Sequence, residues 1–105
     1  MLVHQFCKIG SHVFIGGGFR VVQDVPPFIL AAGEPLRYGG INSIGLKRRG
    51  FTREALTNIK KAYRKYFRSD LPRSSALEKM KNEMENSAEI EEIINFIDTS
   101  ERGII

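Results

Sequence analysis

The sequence predicts an α+β fold in which short strands of a β-helix precede a small bundle of α-helices. Aliphatic residues recur every six positions between Val3 and Pro26, and helical apolar stripes with cap residues fill the second half. A six-residue period fits neither a helix nor a simple strand alternation, and it is typical of the hexapeptide β-helix. We therefore expect residues 1–35 to form final β-helix coils and residues 36–105 to form a C-terminal helical domain.

The repeat rests on two slots of each hexad that are apolar throughout. The first slot contains Val3, Ile9, Ile15 and Val21, and the fifth contains Cys7, Val13, Phe19 and Val25. An ordinary hairpin pair with fortunate spacing is the alternative interpretation of the period. The repeat ends at Pro26-Pro27, because proline has no N–H for a sheet ladder. The residues 28–32 then predict one more extended segment, closed by Gly33 and Pro35, and Gly39-Gly40 predicts a flexible joint.

Helix-capping and helix-ending residues predict four helices after this joint. A short basic helix ends at Gly50, and the next begins at the cap residue Thr52. A third helix is expected over residues 75–86, and a fourth after Ser87, closed by Gly103. The second helix has an apolar stripe at three- and four-residue steps, as a core-facing helix requires. This stripe contains Leu56, Ile59, Ala62, Tyr63, Tyr66 and Phe67.

Charge divides the chain more sharply than its net value of +4 suggests. Residues 1–46 carry three basic and two acidic side chains, residues 47–73 ten and two, and residues 74–105 three and eight. The basic middle and the acidic end therefore form separate surfaces. The single cysteine cannot form an internal disulfide, which fits a reducing cytoplasm. The sequence contains no apolar run long enough to cross a bilayer.

Three stretches resemble one family of enzymes: VHQFC with the hexads that follow, QDVPPF, and GINSIGLKRRGF. Together they are similar to the C-terminal part of the UDP-N-acetylglucosamine O-acyltransferases that open lipid A biosynthesis. The resemblance is strong over residues 3–68 and weaker over residues 69–105. It implies a left-handed parallel β-helix, a homotrimer with active sites between subunits, and a helical C-terminal domain. We expect no cofactor and no metal.

The resemblance also implies a reaction and its missing base. In this family a histidine takes the proton of the sugar 3-hydroxyl while that oxygen attacks an acyl thioester, which suits the pKa of histidine. That histidine lies on an earlier coil, so we expect no catalytic residue here and little activity from this chain alone. A chain that starts inside a hexad suggests that it is the end of a longer protein.

Six residues are expected to bind substrate, according to the resemblance: His4, Gln5, Gly17, Asn42, Arg48 and Arg49. The arginines suit a diphosphate because guanidinium groups bind phosphate in pairs of hydrogen bonds. Alternatively, the basic run merely neutralises a helix C-terminus. The family commonly has an acidic residue where Ile44 stands, and one version has a histidine where Pro35 stands. With Gly17 in the region that measures the acyl chain, we expect a relatively long acyl donor.

Five cations on the second helix are expected to contact acyl carrier protein: Lys60, Lys61, Arg64, Lys65 and Arg68. A solvated helix face is the simpler interpretation. A nucleic-acid surface is not supported, because no helix-turn-helix or base-stacking pattern accompanies the charges. Cys7 is expected to be a small core residue and His12 a surface residue. Another hexapeptide sugar-nucleotide acyltransferase, or a non-catalytic basic interaction module, are the alternative functions.

Overall fold

The computed structural model describes residues 2–3, 6–16 and 20–105, and in these ranges the predicted α+β fold is confirmed. The strands are β1 (Leu2–Val3), β2 (Phe14–Ile15), β3 (Arg20–Val21), β4 (Ile29–Ala32) and β5 (Arg37–Ile41). The helices are α1 (Ser43–Arg48), α2 (Arg53–Phe67), α3 (Arg73–Glu83) and α4 (Ala88–Asp98). None of these helices is both long and apolar enough to cross a membrane.

Parallel pairing of the short strands follows the spacing of the repeat. Val3 pairs with Val21, 18 residues or three hexads later, in the parallel β1–β3 pair. The next pairings are two residues shorter, with Ile9 opposite Val25 and Ile15 opposite Ala31. Val21 and Val25 are fully buried, whereas Ile9 is 38% exposed. The apolar slots are therefore more deeply buried towards the C-terminal end of the repeat.

A hairpin of β4 and β5 replaces the predicted flexible joint. The extended segment after the prolines is confirmed as β4, but Gly39 and Gly40 lie within β5, which pairs antiparallel with β4. The register shifts between Ile29 and Ala31, and Gly40 has a φ of 107°, which glycine adopts readily. The two glycines therefore lie in an irregular strand and not in a flexible joint. The predicted division at residues 35 and 36 falls inside the turn of this hairpin.

The four predicted helices are present, but the third runs over Arg73–Glu83 rather than residues 75–86, and the end of the last was also misplaced. The capping hydroxyl of Thr52 accepts from the N–H of Ala55 at 3.0 Å, and that of Ser87 accepts from Ile90 at 3.2 Å. Helix α4 ends at Asp98, not near Gly103. Gly103 has a φ of 81° and belongs to a terminal segment in which Ile104 bridges to Asp24. Asp24 belongs to the N-terminal segment of short strands up to residue 32, which we call the coil.

One hydrophobic core joins the coil to the helices. It contains Val21, Val25 and Phe28 from the first part and the stripes of α2, α3 and α4 from the second. Tyr63 of α2 is fully buried, and its hydroxyl donates to the carbonyl of Pro27 at 2.6 Å. Burial raises the pKa of Tyr63 well above its ordinary value, so the phenol remains neutral and a donor.

Candidate functional site

Helix α1 and its two cap residues carry three of the predicted site residues, and the helix is fixed at both ends. At its start, Asn42 Oδ1 accepts from the N–H of Gly45 at 3.3 Å. At its end, Gly50 has a φ of 87°, and the N–H groups of Gly50 and Phe51 donate to the carbonyls of Lys47 and Leu46. This is the Schellman arrangement that a glycine after a helix favours. Arg48 and Arg49 therefore project from a helix with defined ends.

A cavity of about 390 Å³ lies between this helix and the coil. Its walls are formed by Val13, Phe14, Leu30, Asn42, Ile44, Gly45, Arg48 and Arg49. Three of the six predicted substrate residues, Asn42, Arg48 and Arg49, therefore share one cavity. Its size is within the usual range for small-molecule pockets. The other three, His4, Gln5 and Gly17, lie outside the described residues.

The mouth of the cavity combines cations with exposed apolar side chains. Arg48 and Arg49 are exposed, and no carboxylate pairs with either among the described residues. Phe14 is 59% exposed and Ile44 is 69% exposed. The lining that the described residues form contains two arginines and no carboxylate, so this wall of the cavity is positively charged. Such a wall can hold an anionic group beside an apolar one.

Asn42 has a structural task that the sequence did not reveal. The residue is 9% exposed, and besides capping α1 its side chain donates from Nδ2 to the carbonyl of His12 at 3.0 Å. The side chain lies so close to Gly45 that a Cβ there would be 2.5 Å from Nδ2. Asn42 therefore ties the helical wall of the cavity to the coil.

The expectation that His12 is a surface residue is wrong. His12 is half-buried, and its ring stacks on Phe28 at 5.9 Å and meets Phe51 edge-on at 5.1 Å between centroids. Its backbone adopts a φ of 56°, which is uncommon outside glycine. Nothing in the hexad pattern marks this residue, because its partners come from segments 16 and 39 positions further along the chain. Cys7 is half-buried against the core, as expected.

The five cations on α2 and at its C-cap differ in their surroundings. Lys60, Arg64 and Arg68 line a groove of about 190 Å³ together with Tyr38, Gly40 and Ile41. Arg68 lies over the Tyr38 ring at 5.5 Å, and burial raises the pKa of that phenol although Arg68 and Arg64 oppose the rise. Lys61 is exposed outside this groove. Lys65 instead pairs with Glu83 of α3 at 3.0 Å.

Asp24 is a buried carboxylate that the sequence analysis did not single out. It is fully buried, and its oxygens accept from the Lys8 N–H at 2.7 Å and from Ser100 Oγ at 2.6 Å. Burial acts to raise the pKa of Asp24, but hydrogen bonds from Ser100 and from the Lys8 and Arg102 backbones outweigh it and lower the pKa. Asp24 therefore joins the coil to the terminal segment and lies apart from the cavity.

No group of three or more metal-ligating side chains occurs within residues 2–3, 6–16 and 20–105. The contacts of the cavity are made by amide, guanidinium and apolar groups. These groups suit an anionic organic ligand better than a cation.

Comparison with known proteins identifies relatives of the whole chain. Residues 24–105 match the family described as UDP-N-acetylglucosamine O-acyltransferase, domain 2. An acyl-[acyl-carrier-protein]–UDP-N-acetylglucosamine O-acyltransferase from Halorhodospira halophila is 43% identical over 104 residues, which are 99% of this chain and 40% of the relative. The chain thus spans about 40% of the length of the curated relatives that it matches.

Solved structures show the same fold. The UDP-N-acetylglucosamine acyltransferase from Bacteroides fragilis superposes with a TM-score of 0.95 at 53% identity, over 99% of this chain and 41% of that chain. The Arabidopsis UDP-N-acetylglucosamine acyltransferase superposes with a TM-score of 0.88 at 38% identity, over 97% of this chain and 39% of that chain. The resemblance derived from the three sequence stretches is therefore confirmed.

Proposed function

Because the chain belongs to the UDP-N-acetylglucosamine O-acyltransferase family, we propose that it is the C-terminal part of such an enzyme. The proposed reaction moves a 3-hydroxyacyl group from acyl carrier protein to the 3-hydroxyl of UDP-N-acetylglucosamine, the first step of lipid A biosynthesis. The sugar oxygen attacks the thioester carbonyl, its proton goes to a general base, and the carrier thiol leaves. A histidine outside this chain serves as that base, and this chain supplies substrate contacts.

The convergence of Asn42, Arg48 and Arg49 on one cavity carries this proposal. Two exposed guanidinium groups can donate paired hydrogen bonds to the oxygens of a diphosphate. A basic run that only neutralised a helix end would not need a cavity beside it. The buried amide of Asn42 holds the helix at the angle that presents both arginines to the same space.

Replacement of one arginine tests the nucleotide contact. In the acyltransferase that contains these residues, Arg49→Ala should raise the KM for UDP-N-acetylglucosamine by about 10- to 100-fold, because a charge-assisted hydrogen bond contributes roughly 1.5–3 kcal/mol. Arg37→Ala is the matched control, since Arg37 is exposed on β5 and does not line the cavity. An unchanged KM for Arg49→Ala would exclude the proposed contact.

The groove of Lys60, Arg64 and Arg68 is the proposed surface for acyl carrier protein. None of these three forms an ion pair among the described residues, so their charge is available to an acidic partner. Lys61 extends the cationic surface, whereas Lys65 is already neutralised by Glu83. Association steered by such charges weakens as salt screens them.

A charge reversal distinguishes this groove from an ordinary solvated face. Arg64→Glu should raise the KM for the acyl carrier protein substrate and reduce its salt dependence, with little change in the KM for the sugar nucleotide. Lys79→Glu on the exposed side of α3 is the control, because it changes net charge equally. Equal effects of both reversals would show that only net charge matters.

We further propose the finer features that the family resemblance implies. They are a left-handed β-helix whose final coils are formed by residues 1–35, a helical domain of residues 36–105, a homotrimer, and a cytoplasmic location. His4 and Gln5 are proposed to contact substrate, and Gly17 to leave room for a long acyl chain. Transfer assays across donor lengths test the last point, and preference for short donors would contradict it.

A further inference from the structure

We propose that His12 is a positioning residue that holds helix α1 against the coil, so that Arg48 and Arg49 face the cavity. This role rests on the proposed binding of the UDP diphosphate by the two arginines. His12 does not line the cavity. It contacts both ends of the helix that carries the arginines, and each contact uses a different part of the residue.

The backbone of His12 holds the start of the helix. Its carbonyl accepts from Asn42 Nδ2 at 3.0 Å, while Asn42 Oδ1 accepts from the N–H of Gly45 at 3.3 Å. The N–H of Asn42 in turn donates to the carbonyl of Phe28 at 2.8 Å. The amide of Asn42 is therefore fixed on both sides, and its orientation sets the first turn of α1.

The ring of His12 holds the end of the helix. It meets the ring of Phe51 edge-on, with centroids 5.1 Å apart and an interplanar angle of 77°. Phe51 lies three residues after the end of α1, and its N–H donates to the carbonyl of Leu46 at 3.1 Å. Phe28 completes the cluster, 5.9 Å from His12 and 5.8 Å from Phe51. Three rings in mutual contact therefore lock the segment that follows Arg49.

The backbone geometry at this point is uncommon and occurs twice. His12 has a φ of 56° and Phe28 a φ of 72°, although neither is glycine. Left-handed conformations of such residues persist only where surrounding contacts enforce them, and they are concentrated at functional sites. Val13 and Phe14, the next two residues after His12, line the cavity. His12 thus connects the coil wall of the cavity to its helical wall.

Substitution by asparagine isolates the contribution of the ring. Asparagine tolerates the left-handed conformation and keeps the carbonyl, so His12→Asn removes only the ring contacts. In the acyltransferase that contains these residues, it should raise the KM for UDP-N-acetylglucosamine by about 3- to 10-fold, in keeping with the loss of aromatic contacts. The kcat should change little, and amides of residues 45–51 should exchange hydrogen faster. His12→Phe, which retains a ring, should restore the KM towards that of the unchanged enzyme.

A double substitution tests whether His12 acts through the arginines. When Arg49→Ala is already present, His12→Asn should raise the KM by much less than it does alone, because coupled residues are not additive. Additive effects, or an unchanged KM for His12→Asn, would overturn the proposal. If Arg49→Ala alone leaves the KM unchanged, the proposed nucleotide site fails. The role of His12 can then still be tested by amide hydrogen exchange. Unchanged exchange at residues 45–51 in His12→Asn would contradict the positioning role, whether or not UDP binds in the cavity.

Discussion

Apolar side chains are buried in different ways in the two regions of the chain, the coil up to residue 32 and the helical region of residues 43–98. The coil leaves Phe6, Phe14 and Val22 at 68%, 59% and 48% exposed. Helices α2 and α4 direct their apolar stripes into a common core, and the hydroxyls of Thr52 and Ser87 cap their first turns. Outside these stripes, Ile44 and Leu71 remain 69% and 43% exposed. The structure of the helical region is therefore encoded locally, whereas the shape of the coil depends on segments far along the chain.

Removal of the Asp24 carboxylate should have the largest effect on this arrangement. Asp24→Ala leaves the Lys8 N–H and Ser100 without their acceptor, so the free energy of unfolding should fall by about 3 kcal/mol. Urea denaturation of the chain measures this loss. Asp70→Ala, at an exposed site after α2, should change stability by less than about 0.5 kcal/mol. Similar losses in both variants would contradict the distinction between the two regions.

Acid should weaken the coil through the same carboxylate. The pKa of Asp24 in the folded chain is below its ordinary value of 3.8, so ionised Asp24 stabilises the fold above that value. This stability is lost as the pH falls through the folded pKa. Unfolding measured at a series of acidic pH values should show the loss, and Asp24→Asn should flatten the profile.

Glu83 provides the matched control for this profile. A hydrogen bond from Lys65 lowers the pKa of Glu83, so its contribution has the same sign, but the pair is exposed. Solvent-exposed pairs contribute little to stability. Glu83→Gln should therefore leave most of the acid dependence in place. A profile flattened as much by Glu83→Gln as by Asp24→Asn would assign the acid sensitivity to the helices.

The contact between the two regions should be next in size. Tyr63→Phe leaves the buried carbonyl of Pro27 without its donor, which should cost about 1–2 kcal/mol in the free energy of unfolding. The comparison is Tyr38→Phe, because the Tyr38 hydroxyl makes no hydrogen bond among the described residues. Thermal or urea denaturation should separate the two variants. No difference between them would mean that the bond to Pro27 contributes nothing.

The smallest effect is expected within the helical region itself. Thr52→Ala removes the N-cap of α2 and should destabilise the chain by about 1 kcal/mol. Thr57→Ala serves as the control, since the exposed Thr57 hydroxyl only bonds back to the carbonyl of Arg53. If Thr52→Ala were as mild as Thr57→Ala, local capping would not determine this helix.

The residues that could be predicted from the sequence are those whose partners are close in the chain. Thr52, Ser87 and Gly50 act within about one helical turn, so their roles follow from position alone. The six-residue period also agrees with the pairing of Val3 with Val21, which lies three hexads later.

The remaining features depend on partners that no local pattern reveals. Asp24 binds a hydroxyl 76 residues later, and the amide of Asn42 reaches back 30 residues to His12. The sequence predicted a flexible joint at Gly39 and Gly40 and a helix end at Gly103, because glycine is common in turns, loops and helix ends. Only the register of the hairpin and the bridge at Ile104 define their actual places. Asn42, Arg48 and Arg49 were predicted to bind substrate, but the cavity that they line together with Val13, Phe14 and Leu30 depends on the fold.

The connection between Asp24 and the terminal segment has a consequence for synthesis of the chain. The Asp24 carboxylate accepts from the Ser100 hydroxyl, and the Asp24 N–H donates to the carbonyl of Gly103. Lys8 Nζ also donates to the carbonyl of Thr99, 91 residues away. Contacts that span most of a chain close large loops and form late in folding. The coil therefore completes its hydrogen bonds only after residues 99–104 have left the ribosome. Until then the Asp24 carboxylate can accept from the Lys8 N–H but lacks the hydroxyl of Ser100.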